Sequence, residues 1–169
     1  MKTKGELSQK NLLEHQKNIK YSKKNINLKN LLDGAKRGEI DAQFELGTKY
    51  KNGTGVPQDF GQAVYWLRRA AVRGHILAQY NLGWMYDHGC GVSQDSTQAA
   101  YWYGIAAEQG NAFAQNMLGS MYEQGHGLAQ NIIQAVNYYC KTADQGNTDA
   151  LRNIQRIKNM QNYFFQTIY

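Results

Sequence analysis

The chain has 169 residues, 42% of them hydrophobic and 19% charged, which suits one packed domain and argues against wholesale disorder. Seventeen glycines against a single proline point to helices punctuated by glycine rather than to a loop-rich or all-β chain, and two cysteines exclude a disulfide scaffold. The formal net charge of +6 invites a nucleic-acid reading, but residues 1–30 hold eight lysines against Glu6 and Glu14, while residues 31–169 are neutral. The body therefore offers no broad basic face to phosphate or to an anionic membrane.

Residues 1–26 are expected to form a basic, flexible leader. They lack the apolar core and small-residue cleavage site of a Sec-type signal peptide. Leu12, Leu13, Gln16 and Ile19 make one weak helical stripe, so a short capping helix is the second reading and a basic arm for membrane or nucleic acid the third. No apolar stretch reaches the roughly 18 residues of a membrane span. Residues 27–38 follow: Leu31, Ala35 and Gly38 stand one period before Leu67, Ala71 and Gly74, which predicts a lone front cap helix.

Three units then repeat with a step of 36 residues and no insertion, over 39–74, 75–110 and 111–146. Ala42, Leu46, Gly47 and Tyr50 recur as Ala78, Leu82, Gly83 and Tyr86, and again as Ala114, Leu118, Gly119 and Tyr122. Gly-x-Gly comes next at Gly53/Gly55, Gly89/Gly91 and Gly125/Gly127, followed by Val56, Val92 and Leu128, then by Asp59, Asp95 and Asn131. Each unit continues with Ala63, Ala99 or Ala135 and an aromatic at Trp66, Trp102 or Tyr138. A small pair and a glycine close it, at Gly74, Gly110 and Gly146. Apolar residues spaced by three and four predict two helices per unit. The Gly-x-Gly segment ends the first, and Asp59, Asp95 and Asn131 cap the start of the second. Ala150 and Ile154 continue the first-helix stripe in a rear cap helix, 147–160, where Gln155 and Lys158 replace the glycine and tyrosine. Residues 161–169 form an aromatic C-terminal tail, expected to dock back on the last helix or to serve self-association or a second contact. The fold class predicted is all-α, an α-solenoid of stacked antiparallel helix hairpins.

This 36-residue unit resembles the Sel-one-like repeat (SLR), a branch of the tetratricopeptide class of helical hairpins, over residues 27–160. Thr142, Asn131 and Tyr138 are the departures from its pattern. The resemblance implies a non-enzymatic scaffold for protein partners: an adaptor, a regulator or an inhibitor, in signalling, quality control or bacterial host interaction. A cysteine-rich bacterial subgroup with a disulfide in each unit and β-lactam binding is similar in repeat, but this chain lacks the paired cysteines.

Residues two before and two after each first-helix leucine lie about 200° around the helix from it and should face away from the hairpin core. They read Phe44, Tyr80, Asn116, Arg152 and Thr48, Trp84, Ser120, Arg156; the helix starts add Asp41, Leu77, Phe113 and Asp149, and the helix ends Lys51, Asp87, Glu123 and Asn159. In tetratricopeptide-like stacks the first helices line the concave surface. The stripe then runs from an aromatic patch (Phe44, Leu77, Tyr80, Trp84, Phe113) past Asn116 to a basic end at Arg152 and Arg156, with an apolar anchor for a peptide or partner helix near Trp84. The competing expectation is that Tyr80 and Trp84 pack against the neighbouring hairpin.

Catalytic chemistry finds no foothold. The Gly-x-Gly segments precede no Lys-Ser or Lys-Thr and follow no strand, so they are not phosphate loops. His88, Cys90 and His126 fall in adjacent loops but offer only three candidate metal ligands. Cys140 reads as a free buried thiol. No nucleophile, base and orienting acid form a motif, and no metal or cofactor is expected. The expected function is a protein or peptide binder, favoured as a monomer, with neither nucleic acid nor stable membrane insertion. It would be made in the cytoplasm, and either act there or leave by a non-Sec route. The alternatives are a small-ligand or β-lactam-binding enzyme on the same fold, and a membrane or nucleic-acid binder using the leader.

Overall fold

The computed structural model describes residues 28–168, with side chains described as far as Met160, so the expected leader 1–26 lies outside the described residues. Eight helices follow one another: α1 (28–37), α2 (Ile40–Asn52), α3 (Phe60–Ala71), α4 (Ile76–His88), α5 (Ser96–Glu108), α6 (Ala112–Gln124), α7 (Ile132–Ala143) and α8 (Thr148–Ile168). No strand occurs among the described residues, and none of their helices is long and apolar enough to cross a membrane. The pairs α2–α3, α4–α5 and α6–α7 are hairpins, and each second helix packs on the next first helix. The architecture is the expected all-α solenoid.

Local chemistry sets the helix ends. Gly53, Gly89 and Gly125 take left-handed φ values of 67°, 65° and 69° at the C-caps of α2, α4 and α6, a region open to glycine without a Cβ penalty. Asp59, Asp95 and Asn131 each accept the backbone N–H three residues on, at 2.9 to 3.0 Å, and so cap α3, α5 and α7. The first helices have caps of their own: His75 Nδ1 accepts from Ala78 N at 3.2 Å, and Asn111 Oδ1 accepts from Ala114 N at 2.8 Å.

Packing explains the small residues. A Cβ on Gly47, Gly83 or Gly119 would stand only 2.7 to 2.8 Å from Leu67, Tyr103 or Tyr139 of the partner helix, so these glycines let the two helices of each hairpin close up. Leu46, Leu82, Leu67, Tyr103 and Tyr139 are among the largest fully buried side chains. Two sets of glutamines, each invariant through the three units, stitch the frame. Gln43, Gln79 and Gln115 are buried and donate to the carbonyls of Ala35, Ala71 and Ala107. Gln58, Gln94 and Gln130 donate to those of Lys51, Asp87 and Glu123.

Two expectations need correction. The last helix does not stop at 160: α8 runs on to Ile168, because the sequence after Gly146 contains no glycine or proline to end it. Docking of the tail's side chains lies outside the described residues. Cys140 is exposed rather than buried. It follows the buried Tyr139 on α7 and shares its register with Arg68, which is also exposed, so this position points away from the hairpin partner.

Candidate functional site

The first helices α2, α4, α6 and α8 carry every residue of the stripe read from the sequence. Leu77 and Phe113 are the open apolar side chains, 46% and 64% exposed. Tyr80 lies half-buried between them and the core, with its ring centroid 5.9 Å from Phe113 and 5.8 Å from Tyr103, and burial pushes its phenol pKa up. These three residues form one continuous patch across α4 and α6.

Phe44 and Trp84 are more committed to the fold. Phe44 is half-buried and stacks on His75 at 4.2 Å. Trp84 is half-buried, stacks on His88 at 4.2 Å, and has the Lys51 ammonium 5.1 Å from its ring centroid. Lys51 in turn donates to Asn81 Oδ1 at 2.5 Å, and burial lowers its pKa. Trp84 is thus a strut between neighbouring first helices as well as a surface residue. Asn116 is half-buried, with its Oδ1 unpartnered among the described residues.

The two arginines of the expected basic end are balanced within the chain. Arg152 pairs with Asp149 on the same helix. Arg156 reaches across to α6 and grips Glu123 with both terminal nitrogens, at 2.6 and 2.8 Å. Tyr139 O–H donates to the same carboxylate at 2.9 Å. The Arg156 hydrogen bond, assisted by that of Tyr139 and opposed by burial, holds the Glu123 carboxyl below the usual range. This end is therefore a fixed polar joint and not a patch of spare positive charge.

His88, Cys90 and His126 do not gather. His126 Nε2 lies 2.7 Å from Ser96 Oγ and 3.5 Å from Asp87 Oδ1, and the Cys90 thiol is free. No group of three or more His, Cys, Asp or Glu side chains is set to hold a metal ion among the described residues. The sequence reading passed over the outer face of the second helices. Tyr65 and Tyr101, one period apart and each preceding a buried tryptophan, are about half exposed there, with the Arg69 guanidinium 5.5 Å from the Tyr65 ring centroid. Their recurrence beside Trp66 and Trp102 was the available signal.

Tyr103 and Tyr139 occupy one register position and differ in one respect. Tyr139 donates to Glu123, whereas the Tyr103 hydroxyl is buried without a partner among the described residues. The residue in register with Glu123 is Asp87, one methylene shorter. Replacing Tyr103 by phenylalanine is expected to raise stability at neutral pH by about 1 kcal/mol, and the same change at Tyr139 to lower it by about 1 kcal/mol. Burial raises both phenol pKa values. Above the unfolded pKa of about 10 the unfolded phenol ionises while the folded one stays protonated, so each tyrosine costs stability as pH climbs beyond that value, whatever its contribution at neutral pH. Urea titrations at pH 7 and pH 11 check both points: each phenylalanine variant should lose less stability over that interval than the parent.

A family model described as Sel1 repeat matches residues 40–75, 76–111 and 112–147. A stretch of 46 residues is 46% identical to the secretory immunoglobulin A-binding protein EsiB of Escherichia coli, covering 27% of this chain and 9% of that protein. A Sel1 repeat protein from Oxalobacter formigenes superposes with a TM-score of 0.70 and 44% identity, over 77% of this chain and 98% of that one. A protective antigen of uropathogenic Escherichia coli with an SLR fold does so with a TM-score of 0.70 and 41% identity, over 71% of this chain but only 26% of that one. Cysteine rich protein B of Helicobacter pylori, 19% identical with a TM-score of 0.59, shares the fold alone.

Proposed function

The chain belongs to the Sel1 repeat family, and from that membership we propose that it is a non-enzymatic binding module that takes a protein or peptide partner along the face of α2, α4, α6 and α8. Sel1 repeat proteins generally mediate protein–protein interaction. The observation that carries the choice of face is the patch of Leu77, Tyr80 and Phe113. Two of its members are large apolar side chains left open to solvent, at positions where the first unit has Asp41 and α8 has Asp149. A few residues packed into the centre of an interface supply most of its binding energy, aromatic side chains prominent among them. The matched Escherichia coli relative, named as a binder of secretory immunoglobulin A, supports a protein as the class of partner. The arginines of α8 contribute little free charge to this reading, because Asp149 and Glu123 hold them.

The test uses the double variant Leu77→Ser/Phe113→Ser, chosen because both side chains are exposed and the fold should survive their loss. A partner captured from source lysate by the parent chain should bind the variant about a hundredfold more weakly, from about 1–2 kcal/mol per anchor, with circular dichroism unchanged. Equal capture by both would remove the patch from the binding site and move the search to Tyr65 and Tyr101.

A further inference from the structure

Near its end each first helix carries Lys51, Asp87 or Glu123 at one register, and 33 positions on stand Trp84, Ser120 and Arg156; the first and third of these pairs meet, while the Ser120 hydroxyl accepts from Gln124 Nε2 at 3.1 Å on its own helix. The first joint is complete: the Lys51 ammonium lies over the Trp84 ring and bonds Asn81. The third is complete as well, with Arg156 gripping Glu123 and Tyr139 O–H donating to the same carboxylate. The second joint repeats the acidic and phenolic members of the third, as Asp87 and Tyr103, but carries a short neutral Ser120 where the third has arginine. Asp87 accepts no side-chain hydrogen bond from the described residues. The nearest cationic candidates are imidazoles, His126 Nε2 at 3.5 Å and His88 Nδ1 at 3.9 Å, which pair with it only when protonated. About 15% of the Asp87 side chain stays open to solvent. The Tyr103 hydroxyl, fully buried and in register with the one that bonds Glu123, has no partner among the described residues.

We propose that the joint between α4 and α6 is completed by the bound partner: an arginine of an extended peptide enters at Ser120 and pairs with Asp87, as Arg156 pairs with Glu123 within the chain. The inference rests on the peptide-binding reading above and names the chemistry of the peptide. Arginine suits the place because its planar guanidinium can grip a carboxylate with two nitrogens, the geometry seen at Glu123. The apolar anchors fix the direction. Leu77 and Asp87 lie ten residues apart on α4, about 15 Å along the helix axis at 1.5 Å per residue. An extended peptide covers that span in about four to five residues. The peptide then runs along α4, with an apolar side chain at Leu77, Tyr80 and Phe113 and an arginine about four positions away at Asp87.

A random octapeptide library displayed on phage and selected on the full chain tests this. The enriched peptides should share an arginine, or less well a lysine, about four positions from a leucine or aromatic residue. Synthetic copies should bind Asp87→Asn about tenfold more weakly while circular dichroism and the thermal midpoint stay unchanged. Ser120→Arg should weaken binding to a similar degree, since it supplies from within the guanidinium that the peptide would bring. Enriched peptides without a basic residue, or basic peptides indifferent to both variants, overturn the inference; if Leu77→Ser/Phe113→Ser still abolishes their binding, the peptide-binding reading stands. Peptides indifferent to that double variant, or no enrichment at all, overturn the reading and the inference together.

Discussion

Replacing Gly91 by alanine is expected to cost about 3 kcal/mol or more, whereas the same replacement at Gly110 should cost about 1–2 kcal/mol. Both glycines have positive φ, +73° and +89°, so both variants bear the strain of placing a Cβ in a region that L residues avoid. Only Gly91 adds a collision. A Cβ there would overlap the Phe60 carbonyl, which is backbone at the start of α3 in the preceding unit, whereas at Gly110 nothing lies within 4 Å. Neither backbone can turn aside as a side chain could, so the two repeats must part. In a solenoid the stability of the whole is roughly a sum of repeat and neighbour terms, and weakening one interface uncouples the units on either side of it. Gly91→Ala should therefore broaden the urea transition and lower its slope as well as its midpoint, while Gly110→Ala shifts the midpoint alone. Gly127, in register with Gly91, faces the Ser96 carbonyl in the same way, and its alanine variant should match. Equal losses at positions 91 and 110 would show that the repeats do not meet through this contact.

What the sequence made legible was whatever repeats in phase. Leu46, Leu82 and Leu118, the N-caps Asp59, Asp95 and Asn131, and the C-cap glycines all stand at one offset in every unit, and the solenoid follows from them. The stripe of exposed positions was legible only in part, because angle about a helix axis does not say what the neighbouring hairpin covers. Leu77 and Phe113 stay open, but Phe44 and Trp84 meet His75, His88 and Lys51. The fate of Arg156 was hidden for a different reason. Its partner Glu123 is 33 residues back, and an alignment at a period of 36 sets the arginine beside Ser120 and Trp84 instead. The exposure of Cys140 was recoverable, since its counterpart one unit and two units earlier are Gly104 and Arg68, neither of them a core type. The helix beyond 160 was not signalled by any positive feature; only the want of a stop after Gly146 points to it.

A polar residue should prove worth more than an apolar one at the same register. Gln79→Ala is expected to cost about 2–3 kcal/mol, and Leu151→Ala, two periods later, less than about 0.5 kcal/mol. Gln79 is buried, and its amide donates to the Ala71 carbonyl at 3.1 Å. That carbonyl already accepts from Gly74 N, so the glutamine fills its second acceptor position in a place water does not reach. Gln79 Oε1 in turn accepts from Gln109 at 2.7 Å, which ties the end of its own unit to the frame. Truncation to alanine removes these bonds and leaves a cavity between units, and both losses act together. At position 151 the same slot holds leucine, which is 55% exposed, and the carbonyl it would face belongs to Ala143, itself only half-buried. Where water can satisfy the carbonyl, the glutamine is dispensable, and leucine stands in its place. Thermal and urea denaturation of the two alanine variants decides the matter. A loss at Leu151 equal to that at Gln79 would mean that a further layer covers α8 in solution, because only a covered Leu151 could contribute so much.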